Sequence, residues 1–167
     1  MTTWYEFDWR YSSIQRIFES LSLGLKNIGH DLDESERSDE LYFDADMALE
    51  HADGLFGIAF VAAQTYITGV VSDANSIAKP NIRFKKDQLL KSYSGYLVGL
   101  SVTKLEFCDA LANYFKHHDE WASWSEIGHS QKTISILRAV GLKEGDSYPC
   151  VNAASILMSK DDWDLTP

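Results

Sequence analysis

Apolar residues along this chain recur at spacings of three and four, the period of an amphipathic helix rather than the alternation of a strand. The pattern begins with Ile14, Ile17, Phe18 and Leu21. Ser12 and Gln15 ahead of them form a capping-box signature and Gly29 is a good C-terminal stop, which predicts a first helix between those points. An acidic connector, His30 to Arg37, follows. A second, long helix is expected after Ser38 as N-cap, with Asp39 and Glu40 in the first turn, where the helix dipole favours anions. Along it Leu41, Ala45, Ala48, Ala52, Leu55, Ala59, Ala62 and Tyr66 form an alanine-rich seam that another helix can approach closely. Residues 73–82, with Asn75 and Pro80, break the pattern.

A third long helix is expected from about Asp87 to His118. Leu90, Tyr93, Leu97, Leu100, Phe107, Leu111 and Phe115 stripe it, and Gly95 and Gly99 lie on its other side. After an irregular stretch through Trp121 and Trp124, a shorter helix runs between Ser130 and Gly141. A last helical turn or two falls around Asn152 to Met158. Three prolines and the absence of Asn-Gly hairpin signals point away from an all-β fold. The expected architecture is an all-α, single-domain helical bundle over residues 1–167, with two long antiparallel central helices.

Composition changes this picture little, but charge changes it a great deal. Hydrophobic residues at 45% and charged residues at 24% are ordinary for a globular domain and exclude a disordered or low-complexity chain. The net charge of −10 repels phosphate backbones and argues against direct nucleic-acid binding. Residues 31–53 carry ten carboxylates against Arg37 alone, so nearly all of the imbalance lies there. Asp39, Asp46, Glu50 and Asp53 fall on one helical stripe opposite the alanine seam, flanked by Tyr42 and Phe43. Such a stripe also suits a plain solvated face, but solvated faces usually intersperse cations at i and i+4. Here like charges stack instead, which fits a surface awaiting a cationic partner. Asp39, Tyr42, Phe43, Asp46, Glu50 and Asp53 are therefore the candidate partner-binding residues, with the 31–36 connector at the rim.

Other candidates are weaker. Cys108 and Cys150 have no metal-ligand spacing and read as reduced thiols of a cytosolic protein. The segment MTTWYEFDWR has no secretory pattern. The charge-free run from Gly54 to Ser72 approaches the length of a membrane span, but it contains Gln64, Thr65, Tyr66 and Thr68 and reads as a buried core helix. Asp31 to Glu36 lacks the glycine and the closing Glu of a calcium loop. His117, His118, Asp119 and Glu120 form the densest titratable cluster, yet cations at a helix C-terminus are explained by the dipole. Lys104 interrupts an apolar stripe in a way that snorkelling accounts for. No catalytic triad, phosphate loop, cofactor or metal motif is present.

Two resemblances add to this reading. Leu111 to Trp121, followed by Thr133, Leu137, Gly141 and Leu142, resembles a pattern in helical-bundle proteins related to the HEPN group. Its RNases use an Arg-to-His motif, and no Arg precedes His117 or His118 at that distance here. The resemblance implies the fold, and a HEPN-like RNase toxin or antitoxin component acting through Lys116, His117 and Asp119 as the alternative function. The whole chain, acidic and helical, also resembles immunity proteins of bacterial contact-dependent growth-inhibition systems, in particular partners of EndoU-type RNase toxins. That likeness implies a cytosolic, non-enzymatic inhibitor that covers the basic cleft of a nuclease toxin, with neither cofactor nor membrane involved. A helical scaffold without any nuclease connection is the third reading.

Overall fold

The computed structural model describes residues 9–35, 41–79, 81–92, 95–97, 99–121, 123–125, 130–158 and 163–165, with residues 34–35 and 41–44 described by backbone alone. Among the described residues six α-helices follow one another: α1 (Tyr11–Ser35), α2 (Leu41–Ile77), α3 (Lys86–Ser92), α4 (Lys104–His117), α5 (Gln131–Ala139) and α6 (Pro149–Met158). A 3₁₀ turn, His118–Glu120, extends α4. No strand occurs among the described residues, and the architecture is an all-α helical bundle.

At 37 residues, α2 is the axis of the bundle, and α1, α4 and α6 pack along it. Its most buried positions are Ala52, Phe56, Ala59, Phe60, Gln64, Ile67 and Val71. This stripe shares Ala52 and Ala59 with the expected seam but turns toward Phe56 and Phe60, because large side chains fill the space between three neighbours. At Gly57 the chain has no room for a side chain: a Cβ there would overlap the Phe115 ring of α4. Phe107, Leu111, Leu25, Leu137 and Cys150 complete the fully buried centre.

The first helix begins at Tyr11 and so includes its expected cap, Ser12, and helix boundaries differ from expectation in three further places. First, α1 does not stop at Gly29 but continues through the acidic connector to Ser35. Second, α2 continues through 73–77; Ser38, its expected N-cap, lies outside the described residues.

Third, the long helix expected from Asp87 to His118 is two helices. Thr103 begins α4 with a capping box, its Oγ1 accepting from the Glu106 amide while the Glu106 carboxylate accepts from the Thr103 amide. The same hydroxyl donates to the Leu90 carbonyl at 2.6 Å and so holds α3 against α4. Between them, Tyr96 and Thr103 form an isolated antiparallel bridge, and Gly99 turns the chain with φ +75. Gly99 is thus a turn residue rather than a helix contact. The two long antiparallel helices are consequently α1 and α2, joined through residues 36–40. Lys104 sits at the exposed start of α4 instead of interrupting a stripe.

The two C-terminal helices agree closely with the pattern. Gly141 ends α5 at φ +95, and the Leu142 amide donates back to Leu137 at 3.0 Å. Trp124 is buried, and Trp163 packs edge-on against Phe56 at 5.9 Å. Gly57→Ala should destabilise the fold by about 1–3 kcal/mol through overpacking. In urea denaturation, Phe115→Ala in the same chain should recover part of that loss, giving a coupling that two independent sites would lack.

Candidate partner-binding site

The helical hairpin of α1 and α2 gathers acidic residues at one end of the bundle. Asp31 and Asp33 lie exposed near the end of α1, and Asp46 and Glu50 lie exposed on the first turns of α2 that are described in full. Among the described residues, none of these four forms an ion pair. The last turn of α1 contains no basic residue. Carboxylates at a helix C-terminus oppose the macrodipole, each at a cost of about 0.3–1 kcal/mol. Asp31 and Asp33 are therefore held where local helix physics disfavours them, whereas Asp46 and Glu50 lie toward the N-terminal end of α2.

The structure divides the expected residues. Asp39 lies outside the described residues, as does Glu36 of the connector. Tyr42 and Phe43 belong to the first turns of α2 by backbone alone. Glu50 is exposed and presents its charge to solvent. Asp46 is exposed too, but it accepts a hydrogen bond from the Tyr148 hydroxyl.

Asp53 does not belong to the open surface. It is half-buried, and its Oδ1 accepts from the amides of Cys150 at 2.7 Å and Val151 at 3.0 Å. Those amides occupy the first turn of α6, which begins at Pro149. Tyr148, the preceding residue, has φ 52 and does not have the extended conformation of an ordinary N-cap. A carboxylate 97 residues away in sequence thus performs the capping, the charge and the helix dipole attracting one another. Desolvation raises the Asp53 pKa above its ordinary 3.8, outweighing the amides that hold it down. Burial, reinforced by the Asp53 charge, pushes the Cys150 thiol well above its usual range. Asp46 and Asp53, expected to await a partner, thus make contacts within the chain to Tyr148 and to the first turn of α6.

The titratable cluster after α4 is spread out rather than convergent. Lys116 is drawn into the α2–α4 seam, where its Nζ donates to Gln64 Oε1 at 2.6 Å. His117 Nδ1 meets Glu120 at 3.2 Å, whereas His118 stacks on Tyr114 at 5.0 Å between ring centroids. Asn113, His117, Glu120, Trp121, Ser130 and Thr133 border a polar cleft of about 360 Å³ between α4 and α5. Of Lys116, His117 and Asp119, the residues expected of an RNase, His117 alone lines it. Among the described residues no group of His, Cys, Asp and Glu could hold a metal ion, and both cysteines are free.

The buried Gln64 is a residue that the periodicity left unassigned. Its Nε2 donates to Asp109 Oδ1 at 2.7 Å and Asn113 Oδ1 at 2.9 Å, and Lys86 pairs with the same Asp109 oxygen at 2.5 Å. One polar residue within a charge-free run was the available signal. Compared with known proteins, the chain matches no family model, no curated protein and no solved structure.

Replacing Asp53 should separate its cap from its charge. Asp53→Ala should lower stability by about 1 kcal/mol in chemical denaturation, whereas Asp53→Asn, which retains an acceptor, should lose less. The folded carboxyl binds its proton more tightly than the unfolded one, so its contribution falls as pH rises from 3.8 to the raised folded value. The stability of Asp53→Asn relative to the unaltered chain should therefore increase over that window and stay level above it.

Proposed function

We propose that the chain is a non-enzymatic immunity protein whose acidic α1–α2 hairpin tip covers the active-site cleft of a basic nuclease toxin. The observation that carries this reading is the set of exposed carboxylates without ion-pair partners among the described residues where α1 meets α2, two of which, Asp31 and Asp33, lie at a helix C-terminus where the dipole disfavours them. A nuclease must attract phosphate, so its cleft is basic. A dense acidic tip gains fast, salt-sensitive association with such a cleft and excludes RNA from it. Asp31, Asp33, Asp46 and Glu50 form the described part of this surface, and Asp39, Tyr42 and Phe43 extend it. Asp53 supports it from beneath by fixing α6.

Co-purification with the product of the adjacent upstream reading frame, followed by RNA-degradation assays, tests the reading. A tight complex that abolishes cleavage supports it. RNA cleaved by this protein alone, and spared by a His117→Ala, His118→Ala variant, transfers the function to the cleft between α4 and α5. Charge reversal offers a sharper discrimination. Asp33→Lys with Glu50→Lys should weaken toxin binding and slow association. The same change should leave thermal stability equal or slightly higher, because Asp33→Lys places a cation in the last turn of α1. Unchanged affinity would remove the hairpin tip from the interface.

A further inference from the structure

The end of the bundle opposite the acidic tip has the reverse character. Residues 79–91 carry Lys79, Arg83, Lys85, Lys86 and Lys91 against the single carboxylate Asp87. Five of the ten large hydrophobic side chains that stand exposed among the described residues lie toward this same end. They are Tyr11, Ile77, Ile82, Phe84 and Tyr96, each between 45% and 65% exposed.

Contacts between elements place these residues together. Arg10 pairs with Asp73, and Tyr11 lies by Val70 of α2 and Leu89 of α3, whereas Trp9 turns back toward Ala62, Thr65 and Tyr66. Ile77 ends α2. The turn that follows is held by Asn75, whose Nδ2 donates to the Phe84 carbonyl at 2.9 Å and whose Oδ1 accepts from the Phe84 amide at 2.7 Å. Ile82 and Phe84 are therefore displayed on a clasped turn, with Arg83 and Lys85 alternating beside them in full exposure. Tyr96 bridges to Thr103 at the start of α4, and Thr103 is bonded to the end of α3.

The geometry points to this basic, aromatic end as a surface that docks on an anionic lipid bilayer. The inference is independent of the acidic tip and goes beyond the immunity reading. Exposed aliphatic and aromatic side chains interleaved with Lys and Arg match the headgroup region, where rings settle and cations meet phosphates. An acidic protein partner would favour the cations but would give no reason for five exposed apolar side chains. A purely hydrophobic partner would give no reason for the cations. The net charge of −10 does not oppose docking. Glu50 and Ile77 are about 40 Å apart along α2 at a helical rise of about 1.5 Å per residue. Screening acts over about 8 Å at physiological salt, so the bilayer meets the basic end alone.

Co-sedimentation of the full chain with phosphatidylcholine vesicles, with and without phosphatidylglycerol, tests the inference. Binding is expected to the mixed vesicles, with release by added salt. Arg83→Ala with Lys85→Ala should weaken it roughly fivefold for each cation removed. Ile82→Ser with Phe84→Ser should weaken it by about tenfold or more. These four side chains are exposed, so both variants should retain the helical circular-dichroism spectrum, and Arg83→Lys with Lys85→Arg should restore binding. Absence of vesicle binding, equal binding to neutral vesicles, or insensitivity to either double variant would overturn the inference. So would self-association or retention of RNA abolished by the same substitutions, because the occupant would then be a second copy of the chain or a nucleic acid.

Discussion

The Gln64 amide sits near the middle of a helix face that has no charged residue from Gly54 to Ser72, and burying it without partners would cost several kcal/mol. Asp109, Asn113 and Lys116 satisfy it from three turns of α4, and Lys86 balances the carboxylate of Asp109. The network favours the register and antiparallel sense in which all three side chains reach Gln64 at once. Much else depends on that register. Gly57 meets Phe115 only when α4 is so placed, and the Thr103 cap then reaches back to Leu90. Apolar packing alone would tolerate several alignments along the charge-free middle of α2.

The same axis separates two chemically opposite ends. Carboxylates gather where α1 meets α2, and cations gather around the turn between α2 and α3. Helix length keeps them apart by several screening lengths, so each end acts on its surroundings with its own sign. The whole-chain charge of −10 conceals this polarity, since it averages a strongly acidic segment with a basic one. Local charge, read along the helix that carries it, describes the molecule better than the total does.

How much of this was legible in the sequence follows from the range of each interaction. Helix existence, the all-α class, the Gly141 stop and the seam alanines Ala52 and Ala59 are written in local periodicity and were readable. The break between α3 and α4 was also written locally, as Thr103 three residues before Glu106 with Gly95 and Gly99 upstream. An apolar stripe that continued in phase across the break concealed it. Asp53 is a different case. Its partners are amides 97 residues away, made available by a tyrosine in a left-handed conformation before a proline, and no spacing rule connects those positions. A carboxylate that caps another helix and one that awaits a partner look alike along the chain.

The burial of Cys150 beneath the Asp53 cap has a consequence for dynamics. Its sulfur is shielded from solvent and its ionisation is suppressed, so alkylating reagents meet a protonated, covered thiol while α6 stays docked on α2. Any excursion that lifts α6 away uncovers the sulfur and relieves the nearby charge at once. The chain thus contains its own gauge of local opening, and the rate at which Cys150 is labelled reports how often the last helix leaves the bundle.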